Sequence, residues 1–210
     1  MSLYENQQNS QNSQSNIAQK RIGVAITGSF CNFDSTLFCV EEIVKKGAQV
    51  TAILSYAVDT TDTRFMKAEE LKKELENITK NPIVNTIVDA EPIGPQNLFD
   101  IILVLPATGN TLAKIAVGIT DTPVTMAVKS QLRNDKPVLL AMSTNDALGN
   151  NAKNIGQLLN TKKIFFVPFG QDDPIKKPKS MVFLPDQVIP AIEEALEDKQ
   201  LQPMLGISLY

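Results

Sequence analysis

Residues 101–114 read Ile-Ile-Leu-Val-Leu-Pro-Ala-Thr-Gly-Asn-Thr-Leu-Ala-Lys, and the fold turns on this stretch. The apolar run from Ile101 to Leu105 suits a strand buried on both faces, as in the middle of a parallel sheet. Pro106 has no N–H to donate and is expected to end the ladder. Leu112, Ile115, Ala116 and Ile119 then recur at helical spacing, which predicts a helix with one buried stripe. The unit is strand, short polar loop, helix. In open α/β sheets such loops lie at the carboxyl ends of the strands, where ligands bind. Thr108, Gly109, Asn110 and Thr111 place small hydroxyl and amide groups at a helix N-terminus, whose free N–H groups favour an anion or an oxygen-rich ligand. The other reading is that Thr108 or Asn110 simply caps the helix.

The same unit recurs on either side. Ile22 to Ile26 reads as the first buried strand, followed by Thr27-Gly28-Ser29 and a helix with Leu37, Val40, Ile43 and Val44 on one face and Gly47 as its stop. The spacing of Gly23 to Ser29 approaches a P-loop but lacks its lysine, and Phe30, Asn32 and Phe33 stand where a dinucleotide fingerprint needs glycines. What survives is a Gly-Ser turn able to hold one phosphate through backbone N–H groups and the Ser29 hydroxyl. Cys31, in the same place, reads as a half-buried structural residue rather than a reactive thiolate, and Cys39 as packing. Val50 to Leu54 is the next strand, leaving through Ser55-Tyr56 into a polar loop. A helix then carries Ala68, Leu71, Leu75 and Ile78. Arg64, beside Phe65, is either a bidentate grip for a carboxylate or phosphate or a surface arginine.

Further along, Ile83 to Val88 gives a weak signal for a short edge strand. Glu91 to Pro95 is a turn-rich connection into the central strand. Beyond the central helix, Thr122-Pro123 opens a helix faced by Val124, Val128 and Leu132, and the turn 133–137 leads to the strand Val138 to Met142. Its exit, Ser143 to Asp146, is again small and polar, before a helix with Ile155, Leu158 and Leu159. Ile164 to Val167 is the last expected strand, 168–178 an irregular loop of the length that often carries function, and 186–199 a final helix.

Strands alternating with helices predict a three-layer α/β/α Rossmann-like (flavodoxin-like) sheet of about six mostly parallel strands. It is expected to occupy residues 20–200, between a disordered leader of Gln, Asn and Ser at 1–19 and a tail at 201–210. Thr27, Ser55, Thr108 and Ser143 should then line one edge of the sheet. A net charge of −3 offers no basic arm for nucleic acid, and the apolar runs are too short to span a membrane. Two cysteines make no disulfide framework, so a cytoplasmic protein is expected. The chain has no histidine, which removes every imidazole base, triad and histidine-ligated metal, and no metal site is expected.

Gly28-Ser29, the Ser55 exit and Pro106 to Lys114 together resemble the flavin-binding signature of the homo-oligomeric flavin-containing cysteine decarboxylases and their flavin prenyltransferase relatives, over roughly residues 20–160. A wider set is similar to the family of dipicolinate synthase B subunits: Thr63 to Phe65, Ala90 to Pro95, Thr108 to Asn110, Ser143 to Gly149, Phe169 to Pro174 with Lys176 to Pro178, and Gln200 to Pro203. The resemblance implies FMN, its phosphate near Gly28, Ser29 and Ser55 and its ring near Thr108, Asn110 and Thr111. Phe30 and Gly109 would complete that site, with Ser143 and Asn145 in place of the relatives' Pro-Ala-Met-Asn segment. Where the B subunits usually carry histidine, this chain has Phe30; the decarboxylases' histidine base is missing as well, which argues against decarboxylation. The resemblance further implies a dehydrogenase-like A subunit as partner, a trimer-based homo-oligomer, and oxidation of dihydrodipicolinate or its hydrated precursor to dipicolinate in sporulating cells. A bound flavin would accept hydride, and Arg64 or Arg133 would meet a substrate carboxylate. A non-catalytic scaffold subunit and a flavin prenyltransferase-like enzyme are the alternatives.

Overall fold

In a computed structural model, which describes residues 16–206, the elements in chain order are β1 (Arg21–Ile26), α1 (Phe33–Lys45), β2 (Gln49–Leu54), α2 (Tyr56–Thr60), α3 (Ala68–Thr79), α4 (Ile87–Ala90), β3 (Ile101–Ala107), α5 (Gly109–Ala116), α6 (Pro123–Arg133), β4 (Val138–Thr144), α7 (Ala152–Leu159), β5 (Ile164–Phe166), β6 (Phe169–Gln171), β7 (Met181–Phe183) and α8 (Val188–Leu196). One seven-stranded sheet runs β2-β1-β3-β4-β7-β6, with β5 also on β4. The first four and β5 are parallel; β7 pairs antiparallel with the end of β4 and with β6. β3 is buried at every position because helices cover both faces. Leu103 and Leu105 face the layer of α1 and α8, and Ile102 and Val104 the layer of α5, α6 and α7. The chain winds outward from β1 in opposite directions, to β2 on one side and β3 on the other, so the crevice of the fold opens where β1 and β3 end.

Several expectations are corrected. β3 does not stop at Pro106: it continues to Ala107 with a register shift, and Pro106 contributes its carbonyl, which accepts the Thr27 hydroxyl at 2.7 Å. α5 ends at Ala116 and the chain turns through Gly118 at φ +74°, so Ile119 lies outside the helix and is exposed. The stretch 83–88 gives only a single bridge, Val84 to Ile53, before α4. The loop expected at 168–178 holds β6, which forms a hairpin with β7 because Phe169 and Phe183 are both buried and paired in register. Within the expected leader, residues 16–19 form a turn with Ile17 fully buried; within the expected tail, Met204 and Gly206 bond to the backbone of Phe169. The rest of the leader, 1–15, and of the tail, 207–210, lies outside the described residues. No helix among the described residues is long and apolar enough to cross a membrane.

At the opposite edge of the sheet, Asp100 joins the start of β3 to that of β1. Its carboxylate accepts the Arg21 amide at 2.9 Å and the Arg21 guanidinium at 2.8 Å, with Lys136 3.6 Å away. Burial pushes the Asp100 pKa up, but these hydrogen bonds and charges outweigh it and hold the group below the usual carboxylate range. A depressed folded pKa contributes stability that is complete above the unfolded value and is lost as pH falls through the folded one. Asp100→Asn should therefore lower the thermal midpoint at neutral pH and flatten its fall as the pH drops below the ordinary carboxylate range, as followed by circular dichroism.

Candidate functional site

The small polar exits fold over the carboxyl ends of the parallel strands and enclose two neighbouring hollows, of about 410 and 510 Å³. Gly28, following β1, and Thr108, following β3, belong to the walls of both. Phe30, Ser55, Asn110 and Thr111 line the first hollow, and Ser29, Gly109, Ser143 and Asn145 the second. All ten residues singled out for cofactor contact thus stand around one divided crevice. The two arginines do not. Arg64 is exposed, its guanidinium 4.8 Å above the Phe65 ring, and Arg133 ends α6 beside Gly94, near the amino ends of the strands. A larger hollow of about 710 Å³ beside Lys163 and Gln202 receives none of the strand exits.

The first hollow is built on a chain of threonines. The Thr27 hydroxyl donates to the Pro106 carbonyl and accepts the Thr108 amide at 3.1 Å. Thr108 Oγ1 in turn accepts the Thr111 amide at 3.4 Å and lies 3.0 Å from the Thr111 hydroxyl. Thr108 is therefore the N-cap of α5, and Asn110 is left to face the hollow. That cap satisfies one orphan donor of the helix start and leaves the amides of Gly109 and Asn110 without an intrahelical acceptor. The Ser55 Oγ is buried with no hydrogen-bond partner among the described residues. The lining includes one cation, Lys114, paired with exposed Asp121 at 2.8 Å, and no carboxylate. An anion fits this chemistry.

The second hollow has a floor that sequence reading missed. Asn32 Nδ2 donates to Ser29 Oγ at 2.8 Å and to Ser143 Oγ at 2.7 Å, and the two serine oxygens lie 2.9 Å apart. Against Gly109, Asp146 accepts the Thr144 hydroxyl at 2.6 Å and Asn151 Nδ2 at 2.9 Å. The Thr144 bond does most to hold Asp146 below its ordinary pKa; burial opposes it and Asn151 adds to it. The β6–β7 hairpin, whose second strand pairs with β4 at Ser143 and Thr144, contributes Asp172, Lys177 and Ser180. Cys31 is exposed and lines this hollow rather than being half-buried, because the short turn Phe30–Asn32 holds it outside the core ahead of α1. Cys39 is packed as expected, and burial pushes its thiol up to about 12.

Comparison with known proteins gives these features a family context. The chain matches the family model described as Flavoprotein over residues 10–195. It is 46% identical over 191 residues to the dipicolinate synthase B subunit of Bacillus subtilis (strain 168), an alignment that covers 91% of this chain and 96% of that one. The crystal structure of the dipicolinate synthase B subunit from Bacillus halodurans C has a TM-score of 0.85 at 44% identity, over 92% of this chain and 100% of the other. The FMN-dependent cysteine decarboxylase SpaF shares the fold, with a TM-score of 0.59 at 19% identity over 88% of this chain and 98% of its own.

Proposed function

This chain belongs to the flavoprotein family, and from that premise we propose that it carries FMN and works as the B subunit of a dipicolinate-forming complex, beside a dehydrogenase-like A subunit. The reaction in this reading is oxidation of dihydrodipicolinate, or its hydrated precursor, to dipicolinate during sporulation, by a trimer-based homo-oligomer in the cytoplasm. When bound, FMN supplies the two-electron acceptor that aromatising such a ring requires.

The observation that carries the reading is the buried, unpartnered Ser55 Oγ in a hollow that holds a cation and no carboxylate. A buried hydroxyl without a partner costs stability in the free chain, and a phosphate oxygen there would relieve it. Gly28, Ser55 and Lys114 thus suit the phosphate end of FMN, while Ser29, expected beside them, faces the second hollow. Thr108, Asn110 and Thr111 would border its ring, with Gly109 on the side of the second hollow. The residues around the crevice orient and enclose rather than act as strong acids or bases, and with no histidine in the chain a proton leaves through a carboxylate, a hydroxyl or water.

The test is retention of FMN after desalting, read by visible absorbance. The wild-type chain should stay yellow, and Ser55→Ala should weaken FMN about tenfold through loss of one hydrogen bond to a charged group. A protein that stays colourless after saturation with FMN would overturn the cofactor reading in favour of a scaffold role. Unchanged affinity in Ser55→Ala would overturn the phosphate placement.

A further inference from the structure

An anionic substrate needs a cation or a set of donors where it settles. Neither Arg64 nor Arg133 lines the second hollow, and among the described residues of its wall Lys177 is the one cation. The hairpin tip delivers it there. Asp173 Oδ1 accepts the amides of Ile175 and Lys176 at 3.2 and 2.9 Å, and the Lys177 amide bonds to the Asp173 carbonyl at 2.7 Å. The turn so wound sets Lys177 on the hollow and leaves Lys176 and Lys179 off it. Its Nζ rests 2.7 Å from Asp172 Oδ2, with the two side chains 54% and 38% exposed. An ion pair so open to water is weak, and an incoming carboxylate can replace its acid partner.

The floor of the hollow holds a donor as well. Asn32 spends its two Nδ2 protons in short bonds to Ser29 and Ser143. One hydroxyl proton lies between the two serines, and the other has no acceptor among the described residues. The floor therefore offers one O–H donor to whatever enters. Asp146, the other acid of the wall, is occupied by Thr144 and Asn151.

We infer that Lys177, with the Ser29–Ser143 hydroxyl pair that lines the same hollow, receives a carboxylate of a small ring dicarboxylate there, and that Asp172 holds the lysine until that carboxylate displaces it. This rests on the reading of the chain as a flavin-carrying partner in dipicolinate formation. It makes Lys177 the residue that sets specificity for an acid, and it makes Asp172 a competitor of the ligand.

The experiment is calorimetric titration of the purified chain with pyridine-2,6-dicarboxylate, with FMN retention measured on the same samples. Lys177→Gln should weaken the dicarboxylate about tenfold, and Lys177→Arg should keep most of the affinity. Asp172→Asn should tighten it about threefold, because the competing carboxylate is gone. FMN retention should be equal in all four proteins. No binding to wild type, unchanged affinity in Lys177→Gln, or weaker binding in Asp172→Asn would each overturn the inference. If wild type fails to retain FMN while Lys177→Gln still weakens the dicarboxylate, the flavin reading falls and the carboxylate subsite stands.

Discussion

Gly109→Ala is expected to destabilise the fold by about 2–4 kcal/mol and to abolish FMN retention, although it adds a single methyl group. A Cβ at Gly109 would lie 2.5 Å from Asn151 Nδ2, 2.6 Å from Thr144 Oγ1 and 3.0 Å from Asp146 Oδ1. Those atoms hydrogen-bond one another, and Asn151 also accepts Asn154 Nδ2 at 2.8 Å, so none can retreat without breaking a partly buried contact. The alternative is for α5 to move away, taking with it the amides and side chains that face both hollows. Urea unfolding together with FMN retention would show both losses. Gly156→Ala is the control: with nothing within 4 Å of its Cβ, inside α7, it should be neutral or stabilising by up to about 1 kcal/mol. Equal stability of Gly109→Ala and wild type would show that α5 is not wedged against this cluster.

Ile17→Ala should cost about 3 kcal/mol, which for a chain of this size lowers Tm by roughly 6–12 °C. Ile17 is fully buried in the layer shared with α1 and α8. Its turn is fixed by the Gln19 amide on the Gly47 carbonyl at 2.9 Å and the Lys20 amide on the Ile17 carbonyl at 3.0 Å. Removing most of such a side chain loses its transfer free energy and leaves a cavity that fixed neighbours fill only in part. A thermal midpoint within about 2 °C of wild type would place Ile17 outside the cooperative core.

Ile17 also marks where sequence reading stops. An Ile-Ala pair after a long run of Gln, Asn and Ser carries no period, so nothing in 1–19 separates an anchored turn from a solvated leader. The parallel strands were legible because a strand covered on both faces is a continuous apolar run, and Ile101 to Leu105 or Val138 to Met142 allow no other placement in an alternating chain. The hairpin was not, since 169–171 carries one apolar residue beside Gly and Gln and so gives 181–183 no visible partner. The site shows the same division. Gly28, Ser55, Thr108 and Ser143 could be found because strand ends converge by topology. Asn32 could not, because its role is to join Ser29 to Ser143, two residues 114 positions apart. Lys177 was hidden for the related reason that only the turn at Asp173 separates it from the lysines on either side.

The margins of the sheet bear on how this chain meets other molecules. At β2, the amides of Leu54 and Val84 bond across to Val84 and Ala52. At β5, the Gln200 side-chain amide takes the place of a strand, accepting the Phe166 amide at 2.8 Å and donating to the Phe166 carbonyl at 2.7 Å. At β6, the segment around Leu205 lies along Phe169. A naked edge is a template that copies itself onto the next chain, and here each margin is hemmed by a few residues too short to propagate the ladder. Recognition is thereby transferred from backbone to side chains: whatever this chain docks with must match helix faces and loop chemistry, a language in which neighbours can be told apart.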